Sequence, residues 1–311
     1  MLAIIGASGK LGGATLSALL SNKLTEPSSI VAITSSQQGS DTWNSLSSRG
    51  VEVRHGTFDD GSTLEAALKG CAKFFLVSTP RVEMDYNDAP EGQGREKHHK
   101  TAIDAARKAG VQHIYYSSLA FDSPSKAGVM QAHTRTEAYL ASLNDVKVTV
   151  IREGLYNESW PLYLGYYEPK ADFRGVVELG GDGKINWTAI EDLGLGNALI
   201  LAAPSEEYAG KTFYLASPEE TAKSMREVAG LVAKARGKDV SVCIVSRSGY
   251  EDFYIDVRHM DPPAVKWWSS TYDALDDGEC WVNDPTLSEL LRSKGKELIS
   301  LEETINAMVK G

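Results

Sequence analysis

Three glycines at intervals of three stand near the start of the chain. In "IIGASGKLGGATL", Gly6, Gly9 and Gly12 follow a short apolar run and open a helical pattern. Gly6 permits a tight turn, Gly9 lets the backbone approach a pyrophosphate, and Gly12 lets helix and strand pack closely. A helix that starts here offers unpaired N–H groups and its positive dipole end to phosphate. Ser8, Lys10 and Leu11 belong to the same turn and are expected beside that phosphate. The strand before and the helix after supply the context that a glycine motif needs before it signifies a dinucleotide site.

The end of the second strand selects the dinucleotide. An acid there bonds the ribose 2′-OH of NAD, and a basic residue accommodates the 2′-phosphate of NADP. The chain has "ITSSQQGS", with neither. Thr34, Ser35, Ser36 and Gln37 can donate hydrogen bonds, and no carboxylate repels a phosphate. NADP(H) is therefore the expected cofactor. Thr79 and Pro80 after "FFLVS", and Ser117 and Ser118 at the end of "HIYYSS", are expected at the ribose and nicotinamide.

Further groups are candidates for the reaction itself. In "GVMQAHTRTEAYLAS", His133 and Glu137 lie four apart on a helix and are expected to pair. Histidine is the side chain best suited to proton transfer near neutral pH, so His133 is expected to supply or relay a proton and to touch the cofactor. "REGLYNESWPLYLGYY" follows the sixth strand. Its Tyr156, Asn157, Trp160 and Tyr163 are expected to form a slot for a planar or conjugated small molecule, with Tyr156 also catalytic. Trp267, Trp268 and Tyr272 read as core packing or a partner surface rather than cofactor contact. His98 and His99 lack a third ligand, and Cys71, Cys243 and Cys280 form no CxxC pair, so no metal site is expected.

These residues depend on an alternating pattern of elements. Six β-rich runs, at 2–6, 29–34, 51–56, 74–79, 113–118 and 148–153, are separated by helical stretches. Alternation of this kind implies right-handed βαβ units and a doubly wound parallel sheet of Rossmann type. Ser62 is a cap candidate for the third helix, and Thr188 with Glu191 a capping box. The polar stretch 81–96 reads as a long loop at the carboxyl ends of the strands, where ligands bind. The expected division is a dinucleotide-binding domain over 1–155 and a smaller α/β lobe over 156–311, with parts of 180–217 returning to the sheet.

Composition sets outer limits. The chain has 311 residues, 42% apolar and 24% charged, which fits a packed globular protein. A net charge of −10 disfavours nucleic acid as a partner. The N-terminus runs straight into the glycine loop, so no signal peptide is expected, and no apolar run approaches the roughly 20 residues that span a bilayer. A cytoplasmic location with reduced thiols, and no membrane partner, is the expectation.

Taken together, "IIGASGKLGG", "IVAIT", "YYSSLAF", "HTRTEAYL", "VTVIREGLYNESW" and "GDGKI" resemble the NmrA-like members of the atypical short-chain dehydrogenase/reductase superfamily, nearest their NADPH-quinone-reductase-like subgroup. The resemblance runs almost end to end. It implies NADP(H) in the glycine loop and a quinone or other carbonyl-type acceptor over the nicotinamide, with secondary metabolism as one setting. It places Val129 and His133 where the wider superfamily keeps a catalytic Tyr and Lys, and Ser35 where relatives often have Arg. An NADPH-dependent oxidoreductase is the expected function. A non-catalytic NADP(H)-sensing regulator with a protein partner, and a cofactor-bound isomerase or cyclase, are the alternatives.

Overall fold

The computed structural model describes residues 1–311. Seven parallel strands form the main sheet: β1 (Leu2–Ile5), β2 (Ile30–Thr34), β3 (Glu52–His55), β4 (Lys73–Val77), β5 (His113–Leu119), β6 (Lys147–Glu153) and, after the separate β7 (Val176–Leu179), β8 (Thr212–Leu215). Their order is β3-β2-β1-β4-β5-β6-β8. β1 and β2 are buried throughout, as helices on both sides require. The chain winds outward one way from β1 and the other way from β4. In register, Ile5 lies between Ile33 of β2 and Leu76 of β4. The crevice between β1 and β4 is thus the switch point where doubly wound sheets bind ligands.

Helices α1 (Lys10–Ser21), α2 (Asp41–Ser47), α3 (Gly61–Leu68), α4 (Glu96–Lys108) and α5 (Gly128–Ala141) connect these strands. α6 (Trp160–Tyr163) is a single turn in the lobe. α7 (Ile190–Ala202) returns to the sheet and packs on α1 so closely that a Cβ on Gly194 would lie 2.7 Å from Ala14. β8 then pairs with β6, placing Thr212 beside Val150. The lobe has its own small sheet, where β7 runs parallel to β9 (Ser241–Ile244). Its core gathers Trp160, Tyr163, Tyr167, Tyr254, Trp268 and Tyr272. Phe121 and Ala127, from the segment between β5 and α5, and Met130 in the first turn of α5 join that core.

Some local expectations fail for identifiable reasons. β7 reads weakly as a strand because Val176 is exposed and Glu178 interrupts it. The capping box at Thr188 does not form: its hydroxyl donates to the Asn186 carbonyl (3.0 Å) and accepts from the Ser217 N–H (2.9 Å). Ile190 N–H is met instead by Glu158. Asp60, not Ser62, caps α3. No helix is long and apolar enough to cross a membrane.

Candidate active site

The glycine loop is built for close backbone contact. Gly6 has φ +77°, in the left-handed region that side chains disfavour. A Cβ on Gly12 would lie 2.3 Å from the Gly6 carbonyl oxygen, so only glycine allows α1 to leave β1 at this angle. Gly9 caps α1 with no side-chain hydrogen bond, and the first turn carries no acid. The N-terminal N–H groups and the dipole of α1 therefore face the crevice without an internal counter-charge.

A cleft of about 650 Å³ opens there. Gly6, Ser8, Gly9, Lys10, Leu11 and Gly12 form one wall. Thr34 and Ser35 border it from β2, while Thr79 and Pro80 follow β4. Ser117 and Ser118 come from β5, and His133 and Tyr156 complete the far end. Ser36 stands back from the lining, its N–H turned onto the Thr34 hydroxyl at 3.1 Å.

Sequence reasoning missed several lining residues. Gly56, Thr57 and Phe58 after β3 border the cleft, as do Arg81 and Arg95. Arg81 holds Asp59 with both arms, at 2.6 and 2.7 Å. Arg95 is buried, pairs with Asp85 at 2.6 Å and donates to the Val129 carbonyl at 2.8 Å. Both arginines sit in or beside the polar loop 81–96, whose position after β4 was the available signal. Lys10, Arg81 and Arg95 line the cleft, and no Asp or Glu does. Asp59 and Asp85, outside the lining, offset the two arginines, and Lys10 at the glycine loop is the lining cation without a carboxylate partner, placed to meet an anion.

At the His133 end, a chain of hydrogen bonds runs through the interior. Thr79 N–H donates to His99 Nε2 (3.2 Å). His99 Nδ1 meets the Thr136 hydroxyl (2.8 Å) and, more distantly, the Tyr116 hydroxyl (3.3 Å). Tyr116 in turn lies 2.8 Å from His133 Nδ1. His133 Nε2 and the Thr79 hydroxyl are buried without a protein partner. Burial, then Arg95, then His99, hold His133 well below the usual histidine range, so the ring is neutral near pH 7. It therefore carries no imidazolium proton to give, which corrects the expectation of a histidine acid.

The expected His133–Glu137 pair is not made. Glu137 accepts from Ser118 (2.6 Å) and binds Arg152 (2.8 Å), because β5 and β6 bring those partners closer. The aromatic slot is also not formed as expected. Of its four residues, Tyr156 lines the cleft; the next turn carries the others inward. Asn157 is buried and donates to the Ile299 carbonyl and Thr304 hydroxyl, anchoring the C-terminal helix. Trp160 is 0% exposed. Tyr163 packs edge-on against Trp187 and Trp268. These three are lobe core. Burial, followed by Glu153 and Glu158, pushes the Tyr156 hydroxyl upward, so it keeps its proton.

A model of the NmrA-like family matches residues 1–261. The chain belongs to the NmrA-like family. Quinone oxidoreductase 2 of Escherichia coli (strain K12) is 30% identical over 306 residues, 98% of each chain. This NmrA-like chain also superposes on solved structures along its whole length. The E. coli NADPH-dependent quinone oxidoreductase complexed with NADPH gives a TM-score of 0.81 at 27% identity, covering 99% of both chains. The Citrobacter sp. triphenylmethane reductase complexed with NADP(H) gives 0.78 at 26%, again covering 99% of both.

Proposed function

We propose that this chain is an NADPH-dependent reductase of quinone-type and similarly flat, conjugated acceptors. The observation that carries the proposal is the cleft itself. Its glycine loop fits a pyrophosphate, Lys10 stands beside that loop with no carboxylate partner, and unpartnered polar atoms of His133 and Thr79 collect at the opposite end. The relatives named above, two of them solved with the nicotinamide cofactor, support it.

Gly6, Gly9, Gly12 and the start of α1 would hold the pyrophosphate, with Lys10, Thr34 and Ser35 toward the 2′-phosphate. Thr79, Pro80, Ser117, Ser118 and His133 would border the ribose and nicotinamide. When bound, NADPH supplies the hydride. Tyr156 keeps its hydroxyl proton and donates a hydrogen bond to the acceptor oxygen that gains charge. Positioning within the cleft does most of the remaining work, because a quinone needs little activation beyond orientation. A setting in secondary metabolism, implied by the family resemblance, belongs to the same proposal.

The test is NADPH consumption against a panel of benzoquinones, naphthoquinones, enones and triarylmethane dyes, with NADPH binding measured separately. Turnover with quinones, faster with NADPH than with NADH, is expected. Tight NADPH binding with no turnover on any acceptor would refute the enzyme and leave a dinucleotide sensor.

A further inference from the structure

We infer that the backbone N–H of Thr79 fixes the tautomer of His133 through His99 and Tyr116, so that His133 carries its proton on Nε2 and offers it permanently to a carbonyl oxygen of the bound ligand. The inference deepens the proposed reductase function and rests on it only for the identity of that ligand.

The assignment starts from a group with no choice. A backbone N–H can only donate, so His99 Nε2, 3.2 Å from Thr79 N, must be the accepting nitrogen. His99 then bears its hydrogen on Nδ1. That hydrogen points to the Thr136 hydroxyl, which passes its own on to the Ala132 carbonyl (2.7 Å). Tyr116 is fully buried, and its hydroxyl is within hydrogen-bond geometry of His99 Nδ1 and His133 Nδ1, while the Thr136 hydroxyl, also nearby, is already engaged by His99 and the Ala132 carbonyl. His99 Nδ1 already bears hydrogen. The Tyr116 O–H therefore donates to His133 Nδ1, and the opposite orientation would strand a buried hydroxyl hydrogen at a cost of about 1–3 kcal/mol. The His133 hydrogen is left on Nε2, the atom without a protein partner. Burial and the Arg95 guanidinium keep the ring neutral, in agreement.

The chain has a second consequence. It begins at a peptide N–H, a hydrogen-bond donor too weakly acidic to give its proton to a neutral imidazole, so no acid at that end refills His133. His133 is accordingly a hydrogen-bond donor and not a proton conduit, and the proton that completes reduction of a quinone to its hydroquinone arrives from solvent. Tyr116 and His99 are positioning residues. The acceptor carbonyl is either the nicotinamide carboxamide or the quinone itself, and the two are separable by order of addition.

The experiment is long-range proton–nitrogen correlation on the full chain labelled with ¹⁵N-histidine, with His99 and His133 assigned by His99→Gln and His133→Gln. His133 should show protonated Nε2 and bare Nδ1, and His99 the reverse, both unchanged between about pH 6 and 8, across the ordinary histidine range. Adding NADP⁺ should shift the His133 Nε2 signal if the carboxamide accepts; a shift that waits for a quinone as well assigns the substrate carbonyl. Tyr116→Phe should turn His133 into a mixture of tautomers. His99→Gln, whose amide can both accept from Thr79 and donate to Thr136, should preserve the His133 signature, and His99→Leu should lose it. Protonated Nδ1 on His133 in the parent chain, titration inside that window, or an Nε2 signal unmoved by NADP⁺ with and without quinone would each overturn the inference. Absence of quinone turnover alongside the predicted tautomers would sink the proposed function and leave the tautomer assignment standing.

Discussion

Gly12→Ala is the sharpest test of how the cleft is built. The added Cβ would sit 2.3 Å from the Gly6 oxygen, 2.8 Å from its carbonyl carbon and 3.2 Å from the Ala7 nitrogen. All three are backbone atoms, so no side chain can rotate away. Real Cβ contacts do not fall below 3.0 Å, so the start of α1 must move from β1 by at least the difference, about 0.7 Å. Overpacking of this kind costs about 1–3 kcal/mol, and for a chain this long each kcal/mol lowers Tm by about 1.5 °C. The same shift moves the α1 N–H groups off the phosphate. Gly9→Ala is the control. Its Cβ would meet the Gly6 oxygen at 3.2 Å, tight by a few tenths of an ångström, so stability should change little while the methyl group intrudes toward the pyrophosphate. Thermal melts and NADPH calorimetry on both variants decide the matter. A Gly12→Ala chain that melted within a degree of the parent and bound NADPH equally would refute the reasoning.

Three further outcomes are expected. Ser35→Asp places a carboxylate at the exposed end of β2; at about 1 kcal/mol for charges 4 Å apart in water, NADPH affinity should fall at least about fivefold and NADH should gain, whereas unchanged NADPH binding in calorimetry would remove Ser35 from the 2′-phosphate site. Trp160→Ala should cost about 3–5 kcal/mol in denaturant melts, as for a buried tryptophan, with NADPH affinity retained; a loss of acceptor binding without a loss of stability would restore it to a substrate slot. Burial raises the Asp192 carboxyl to about 6, against an N–H bond from Ile299. Because the folded value exceeds the unfolded one of 3.8, stability falls as pH climbs from about 4 to about 6 and stays lower above. Asp192→Asn should therefore stabilise the chain by on the order of 1–2 kcal/mol near neutral pH and not in acid, and a gain independent of pH would contradict this.

The main sheet was legible because its first six strands are short, separated by helical patterns and, apart from the edge strand β3, rich in buried apolar residues. Those features follow from burial on both faces, which the residues themselves must satisfy. The phosphate wall was legible for the same local reason: Gly6, Ser8, Gly9 and Gly12 all lie within one turn. What lay beyond reach was long-range. Arg95 reaches the cleft only because the loop after β4 folds back onto Asp85 and Val129. His99 and Tyr116 read as a helix residue and a strand residue, and only the packing of α4, α5 and β5 brings them to His133. Asn157, Trp160 and Tyr163 show the converse. Aromatic residues just past a strand end suit a pocket and a core equally, and the short turn at Asn157–Ser159 decides for the core.

The return of β8 to the sheet also sets a timetable for the growing chain. About 60 residues separate Glu153, where β6 ends, from Thr212, where β8 begins. At roughly 5–20 residues per second, the ribosome takes about 3–12 seconds to make them. Throughout that interval β6 presents an open edge, and for most of it the apolar side of α1 waits for α7. The nascent half is therefore exposed to edge-to-edge pairing, and slowing translation between codons 154 and 212 should raise aggregation more than the same pause placed after β8.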